Sequence, residues 1–239
     1  MNFTVLGKYG PFVVNGGKST SSYLVESDAQ ACVLDLGSGS VGKMLEKIQL
    51  NKLKFVFLSH MHFDHVSDFG VLSYAINFLN KGEKINLYAY NDGSDLYKLI
   101  KSNSAFNVID VETDREYQDG DFTFTFYKMA HPVISHGIKL TANGKTLAYT
   151  GDTTVLGDID GLIKGADYLI ADGCFLQKDY ADNKPHMSIK QVCEISNKYQ
   201  IKTLVSHLSY DYLDSDVERE ISKYSTLSTV AKEGKTYTV

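Results

Sequence analysis

Two kinds of spacing between apolar residues alternate along the whole chain. Runs with every second residue apolar, or with continuous apolar residues, predict β-strands, whereas apolar residues three and four positions apart predict helices. The predicted strands are Phe3–Leu6, Ser22–Glu26, Ala31–Asp35, Phe55–Leu58, Ile85–Tyr90, Phe122–Tyr127, Ile138–Thr141, Thr146–Tyr149, Tyr168–Ala171 and Thr203–Val205. The predicted helices are Val41–Ile48, Phe69–Leu79, Gly93–Lys101, Ile159–Lys164, Ser188–Tyr199 and Ser215–Lys223.

Turn signals mark where the predicted strands reverse. Asn143-Gly144 is a strong hairpin signal between two strands, and Asp119-Gly120-Asp121 precedes the alternating strand that starts at Phe122. Each strand-rich half of the chain is followed by helices, which favours two packed sheets with helices outside them. We find no linker, clear repeat or low-complexity segment, so we predict one domain that spans residues 1–239.

The composition is that of a globular protein, with 43% hydrophobic and 22% charged residues. No apolar stretch approaches the ~20 residues that cross a bilayer, and the first residues lack the pattern of a signal peptide, so we expect no membrane association. Cys32, Cys174 and Cys193 are widely spaced and form no C-x-x-C pair. They therefore fit small buried side chains in a reducing cytoplasm rather than a disulfide framework or a zinc ribbon.

The net charge is −5 and the isoelectric point is about 5.8. A nucleic-acid-binding protein usually carries a basic patch, so this balance weighs against a nucleic-acid partner. It does not exclude one, because the 24 Lys and Arg residues could cluster in space.

The segment with the clearest chemistry is His60-Met61-His62-Phe63-Asp64-His65, which has the pattern H-x-H-x-D-H. It starts where the continuous apolar strand Phe55–Leu58 ends, a common place for active-site residues in layered α/β folds. Imidazole and carboxylate groups are the usual ligands of a catalytic zinc ion. The alternative is a polar loop that is rich in histidine by chance, and the distant residues that a metal site needs decide between the two.

Three such residues follow other predicted strands. His131 comes after Phe122–Tyr127, Asp152 after Thr146–Tyr149, and His207 after Thr203–Val205. One histidine or aspartate at a strand end is usually a cap or part of a turn. Three of them in a chain that also carries the histidine cluster favour a metal site.

With these residues in place, the chain resembles the metallo-β-lactamase superfamily over nearly its whole length. The resemblance implies an α/β fold, a four-layer αβ/βα sandwich, with the site along one edge. It implies that a first metal ion is held by His60, His62 and His131, and a second by Asp64, His65 and His207. It also implies that Asp152 bridges both ions and that Asp35, at the end of an early strand, supports the ligands.

Position 62 bears on the chemistry. Family members that bind two iron ions for oxygen chemistry typically carry Glu at this position, whereas this chain carries His62. The resemblance therefore implies hydrolysis with two divalent ions, most simply Zn²⁺, with Mn²⁺ as the alternative.

Two further segments resemble the phosphodiesterase and ribonuclease Z branch of this family. The thioesterase-like branch usually has Gly-His-Thr-Pro-Gly-His around the third histidine, and this chain has Ala130-His131-Pro132-Val133 instead. His186, before Ser188, matches a histidine thought to assist the leaving group, and Asp172 matches its acidic partner, which is often Glu in the family. We count Asp64, His186 and Asp172 as the predicted catalytic residues.

The substrate is less defined than the site. Ribonuclease Z enzymes that process tRNA usually insert a protruding arm between the residues matching His131 and Asp152, and here only 20 residues separate them. We therefore predict a phosphodiesterase that acts on a small or nucleotide-like substrate. Thioesterase, lactonase or β-lactamase activity, a tRNA 3′-processing endonuclease without the arm, and a non-catalytic metal-binding protein remain alternatives.

Three features are left open by the sequence. His136 could face the substrate or support a strand, and Ser19–Ser22 could border the cleft or form a flexible turn. Relatives in this family are commonly dimers, which makes a homodimer a possibility that no residue of this chain tests.

Overall fold

The computed structural model describes residues 1–14, 16–80 and 83–239. It contains two seven-stranded mixed sheets. In spatial order, the strands of the first sheet are β16 (Thr236–Thr238), β1 (Asn2–Gly7), β3 (Ser22–Glu26), β4 (Ala31–Leu34), β5 (Leu53–Leu58), β6 (Ile85–Ala89) and β7 (Phe106–Asp110). Those of the second are β15 (Ser228–Val230), β13 (Lys202–Ser206), β12 (Tyr168–Asp172), β11 (Lys145–Tyr149), β10 (Ser135–Ala142), β9 (Phe122–Met129) and β8 (Glu116–Asp119).

The helices cover the outer faces of the two sheets. They are α1 (Ser40–Leu45), α2 (Phe63–Val66), α3 (Phe69–Leu79), α4 (Asp95–Ser102), α5 (Ile159–Ile163), α6 (Ile189–Tyr199) and α7 (Asp214–Tyr224). One buried apolar cluster joins α1, α3 and α4 to the first sheet, and another joins α5, α6 and α7 to the second. This arrangement confirms the predicted four-layer αβ/βα sandwich. Among the described residues, no helix combines the length and the apolar character needed to cross a bilayer.

A third apolar cluster fills the space between the sheets and is rich in aromatic rings. Phe122, Phe124 and Phe126 point into it because they alternate along β9 with partly exposed residues. Phe55 enters from β5, while its neighbour Val56 packs on the helical side of the same strand. The continuous apolar run of β5 therefore reflects burial on both faces, as predicted.

Replacing Phe55 tests the packing between the sheets. Its side chain is fully buried, and its ring centroid lies 4.7 Å from that of Phe124 and 5.4 Å from that of Tyr88. We expect Phe55→Ala to lower the free energy of unfolding by about 3–5 kcal/mol, because it leaves a cavity in a packed core. Urea unfolding measures this. Phe78→Ala is the control, since that ring is 78% exposed; an equal loss in both variants would contradict the assignment.

The structure contains elements that the sequence patterns did not predict. Strands β7, β8, β15 and β16 lie at or next to the sheet edges and are short or polar, so their apolar spacing is weak. A small two-stranded sheet pairs β2 (Tyr9–Gly10) with β14 (Leu208–Ser209) in parallel. This pairing brings the N-terminal segment next to the residues that follow β13.

Candidate metal centre

The predicted ligands converge on the carboxylate of Asp152, which follows β11 and is 1% exposed. One of its oxygens lies 3.2 Å from His65 Nε2 and 3.2 Å from His207 Nδ1. The other lies 3.6 Å from His60 Nε2 and 3.9 Å from His131 Nε2. Its two oxygens therefore point at two different groups of imidazoles.

The two groups are the ones that the resemblance implies. In each group, one ligand atom per residue can be chosen so that all of them lie within 4.8 Å of one another. The first group comprises His60, His62, His131 and Asp152, and the second comprises Asp64, His65, Asp152 and His207. Each is a donor set that suits one divalent ion, with Asp152 shared between the two.

Unpaired polar atoms support the same conclusion. Among the described residues, His60 Nε2, His65 Nε2 and Asp152 Oδ1 are buried and make no well-aligned hydrogen bond, although His65 Nε2 and Asp152 Oδ1 lie 3.2 Å apart. Buried polar atoms in proteins almost always have a partner, because leaving one unpaired is costly. All three atoms point into the clusters, and a bound cation would satisfy them. The residues present therefore fit a pair of divalent ions.

The local backbone explains how four ligands can come from six residues. Strand β5 ends at Leu58, and His62 then forms the N-cap position of the one-turn helix α2. The amide of His65 donates to the carbonyl of His62 at 3.0 Å, which closes this turn. The turn brings Asp64 and His65 into the second group, while His60 and His62 remain on the side of the first.

Asp35 contacts His65 of the second group on the side of the ring that faces away from Asp152. Its oxygens accept hydrogen bonds from the Ser59 amide at 2.7 Å and from the Tyr149 hydroxyl at 2.5 Å. One of them lies 2.7 Å from His65 Nδ1. A carboxylate on Nδ1 fixes the ring so that Nε2 faces Asp152, which is how supporting residues orient metal-binding histidines.

His131 is oriented in a similar way by a backbone group. Its Nδ1 lies 3.1 Å from the carbonyl oxygen of Pro185. Its Nε2 is therefore directed towards His62 Nδ1, at 3.2 Å. The segment that carries His186 thus also positions a residue of the first group.

The pKa shifts of the histidines differ between the two ligand groups. Burial disfavours a charged His65, but Asp152, Asp35 and Asp64 outweigh it and raise the pKa of His65 well above its usual value. Burial also works against ionised Asp152, yet His207, His65 and His60 hold the pKa of that carboxyl well below its usual value. Burial, assisted by neighbouring imidazoles, lowers the pKa values of His60, His62 and His131, which favours the neutral rings that can bind a cation.

His186 and Asp172 lie beside both groups. His186 Nδ1 is 2.8 Å from Asp172 Oδ2, and the His186 ring centroid is 5.1 Å from that of His131 and 5.0 Å from that of His207. Burial disfavours the imidazolium, but the charges of Asp172 and Asp152 and the hydrogen bond to Asp172 raise the pKa of His186 to about 9. Asp172 also accepts from the Thr153 amide, so the pair is held in a fixed orientation.

His136 lies elsewhere. It is 1% exposed, its ring stacks on Tyr90 at 5.0 Å, and its Nε2 lies 3.2 Å from Thr113 Oγ1. Burial, together with the charge of Lys128, lowers its pKa to about 4. The ring belongs to neither ligand group, so the possibility that it faces the substrate does not fit its position. Its amide donates to the Ser59 carbonyl, which links β10 to the end of β5.

Two further residues contact His207: Ser21, in the segment whose role the sequence left open, and Gly10, which the sequence did not single out. Ser21 Oγ lies 2.8 Å from His207 Nδ1, in the buried segment Ser19–Ser22, which is therefore part of the wall of the site and not a flexible turn. The backbone of Gly10 passes directly over the His207 ring, and a Cβ at this position would lie 2.2 Å from the imidazole. The serine-rich segment was a sequence signal for the contact of Ser21 with His207. A single glycine gives no such signal for the contact of Gly10.

Gly10→Ala tests this close approach. We expect the added methyl group to displace the His207 ring and to lower the affinity for one of two bound ions by about 10–100-fold, as other disturbances of ligand orientation do. Metal analysis after dialysis against a graded chelator measures it. Gly16→Ala in the same N-terminal segment is the matched control, because a Cβ there meets no atom within 4 Å. Equal metal retention in the two variants would contradict the prediction.

The segment between His131 and Asp152 is filled by the hairpin of β10 and β11. All residues from 132 to 151 are described, and they leave no insertion that could form a protruding arm. The absence of the arm, predicted from the spacing, is therefore confirmed.

Comparison with known proteins identifies related chains. A family model described as a beta-lactamase superfamily domain matches residues 32–207. The probable metallo-hydrolase YhfI of Bacillus subtilis is 28% identical over 225 residues, which cover 92% of each chain. The crystal structure of YhfI superposes with a TM-score of 0.90 at 27% identity, covering 99% of this chain and 98% of that one. A ribonuclease Z of Sulfolobus acidocaldarius is 23% identical and covers 89% of this chain and 86% of its own length.

Proposed function

Because the chain belongs to the β-lactamase superfamily, we propose that it is a dinuclear zinc hydrolase that cleaves phosphodiesters of small or nucleotide-like substrates. Relatives named as a metallo-hydrolase and a ribonuclease support the general activity. The observation that carries the choice of bond is the His186–Asp172 pair beside both ligand groups. Such a pair can protonate an alkoxide leaving group, which phosphodiester cleavage requires.

The ligand groups assign the residues that would hold the ions. His60, His62 and His131 would hold the first ion and Asp64, His65 and His207 the second, with Asp152 shared between them and Asp35 as the supporting carboxylate. When bound, two such ions supply a hydroxide nucleophile near neutral pH and stabilise the charge on phosphoryl oxygens. Imidazole-rich donor sets suit Zn²⁺, and Mn²⁺ is the alternative.

The side chains then have separate tasks. Asp64 and Asp152 neutralise only part of the charge of two divalent ions, so the site stays positive and favours an anionic phosphodiester over a neutral ester. Asp172 fixes the proton on His186 Nδ1, which leaves Nε2 to deliver a proton to the departing oxygen. This proton transfer matters most for poor leaving groups such as the alkoxide of a dinucleotide and least for a thiolate.

Metal-dependent turnover tests the proposal. Purified protein is stripped of metal, loaded with Zn²⁺ or Mn²⁺, and assayed with bis(p-nitrophenyl) phosphate and with cyclic and linear dinucleotides. Parallel assays use an acyl thioester, a lactone and a β-lactam at equal concentrations. We expect kcat/KM to be highest on a phosphodiester and to vanish on chelation. Turnover of the acyl substrates without any phosphodiester turnover would refute the choice of bond.

Lys184 lies two residues before His186, the proposed proton donor to the leaving group. Its Nζ is 5.1 Å from the centre of the Phe175 ring, which in turn lies 6.0 Å from the His186 ring. Within the described ranges, no carboxylate lies at salt-bridge distance from Lys184, unlike Lys8, which pairs with Asp214. A cation held by an aromatic ring keeps its charge available for an anionic ligand.

We expect Lys184→Gln to raise KM roughly fivefold to tenfold for dinucleotides that carry an additional terminal phosphate, with kcat little changed. The reason is that a partly exposed ion pair between Lys184 and this phosphate contributes about 1 kcal/mol. Steady-state kinetics with UpU, pUpU and UpUp measure it. Lys178→Gln, at an exposed position of the preceding segment, is the control. Equal KM changes on the substrates with and without the terminal phosphate would contradict this role.

A further inference from the structure

Cys174 lies beside the proposed dinuclear centre but belongs to neither ligand group. It follows β12 after Gly173, its amide donates to Asp172 Oδ1 at 3.2 Å, and its side chain is buried. Its sulfur and one nitrogen each of His186 and His207 lie within 4.8 Å of one another. These three side chains therefore form a compact third group of donors at the edge of the site.

The donor chemistry of this group differs from that of the other two. One thiol and two imidazoles form a soft donor set that suits Zn²⁺ or Cd²⁺ and suits Mn²⁺ poorly. Ligand atoms around one tetrahedral zinc ion are about 3.5 Å apart, given Zn–S of ~2.3 Å and Zn–N of ~2.0–2.1 Å. Small side-chain rotations would therefore bring the three donors to binding distance. Burial and the charges of Asp172, Asp152 and Asp64 raise the pKa of the Cys174 thiol, so the thiol keeps its proton until a cation displaces it.

The other two cysteines are placed differently. Cys32 lies in the apolar cluster between the sheets, and Cys193 lies in α6 within the outer apolar cluster. In the part of the chain that the structure describes, Cys174 is the cysteine that belongs to a potential metal-binding group. Packing alone accounts for the first two thiols but not for a thiol next to two imidazoles of a hydrolytic site.

We propose that Cys174, His186 and His207 form an inhibitory site for thiophilic divalent ions such as Cd²⁺ or surplus Zn²⁺. An ion bound there takes His207 away from the second ligand group, and both the thiol proton of Cys174 and the Nε2 proton of His186 are released to solvent. The same ion coordinates His186 and prevents it from protonating the leaving group. Binding at this site follows from the donors alone, whereas the inhibition rests on the proposed function.

The difference between hard and soft ions makes the site testable. Protein loaded with Mn²⁺ is titrated with Cd²⁺ while two signals are recorded. One is the near-ultraviolet sulfur-to-cadmium charge-transfer band, and the other is the turnover of bis(p-nitrophenyl) phosphate. We expect the band to appear and activity to fall together in the unmodified protein. In Cys174→Ser we expect no band, unchanged Mn²⁺-dependent activity, and inhibition only at about tenfold higher Cd²⁺.

Controls separate this site from other effects of cadmium. Cys193→Ser keeps Cys174 and should behave like the unmodified protein in both signals, and Cys174→Ala checks that the serine hydroxyl adds no ligand. A band that persists in Cys174→Ser, or that never forms in the unmodified protein, would overturn the site. Equal inhibition of Cys174→Ser and the unmodified protein would overturn the inhibitory role. If no phosphodiester is cleaved by any form, the proposed function fails, but the charge-transfer band still decides the site.

Discussion

Asp152→Ala is expected to abolish hydrolysis and to leave the protein with fewer than two bound ions per chain. The Asp152 carboxylate is the one group that belongs to both ligand clusters, with one oxygen near His65 and His207 and the other near His60. Its removal leaves each cluster with three donors and no bridge between the ions. We expect kcat/KM to fall by about a thousandfold or more, which corresponds to a loss of about 4 kcal/mol of transition-state stabilisation.

Two measurements check this result. Elemental analysis gives the number of ions per chain after dialysis, and kcat/KM on a phosphodiester gives the rate. Asp152→Asn keeps the size of the side chain and is expected to lose nearly as much, because an amide oxygen cannot replace a shared carboxylate. Asp160→Ala removes a carboxylate exposed on α5 and should change neither quantity. Full metal content with full rate in Asp152→Ala would refute the bridging role.

The fold was predictable where the chain is buried on defined faces. The alternation of Phe122, Phe124 and Phe126 predicted which face of β9 is buried, and the continuous apolar run of β5 predicted a strand buried on both faces. Strands β8 and β16 carry polar or half-exposed residues, and their pairing is decided by neighbours that are distant in sequence. Apolar spacing therefore predicts the centres of the sheets better than their edges.

The candidate site was predictable for a related reason. Its proposed ligands are polar residues directly after strands, and strand ends in a layered α/β fold meet along one edge. The position of His136 could not be predicted in this way. His136 lies within β10, and the strand register alone decides whether its side chain points into the protein or away from it. Gly10 shows a second limit, since its contact with His207 depends on the pairing of β2 with β14. Such contacts arise from tertiary structure and leave no local pattern.

His186→Ala is expected to lower kcat in proportion to how poor the leaving group is. A general acid contributes about 10²–10⁴-fold when the departing oxygen needs a proton. A dinucleotide releases a weakly acidic alcohol, so we expect a loss in that range. Bis(p-nitrophenyl) phosphate releases a stable phenolate, so we expect a loss below about tenfold.

The dependence on the leaving group distinguishes proton donation from a structural role. His186 belongs to neither proposed ligand group, so His186→Ala should retain two ions per chain. Asp172→Asn should show the same pattern more weakly, because it removes the carboxylate that holds His186 Nδ1 at 2.8 Å and leaves the imidazole in place. A series of aryl and alkyl phosphodiesters should then give a steeper dependence of rate on leaving-group acidity in both variants than in the unmodified enzyme. If all substrates lose activity equally, or if metal is lost as well, His186 acts by supporting the site and does not deliver the proton.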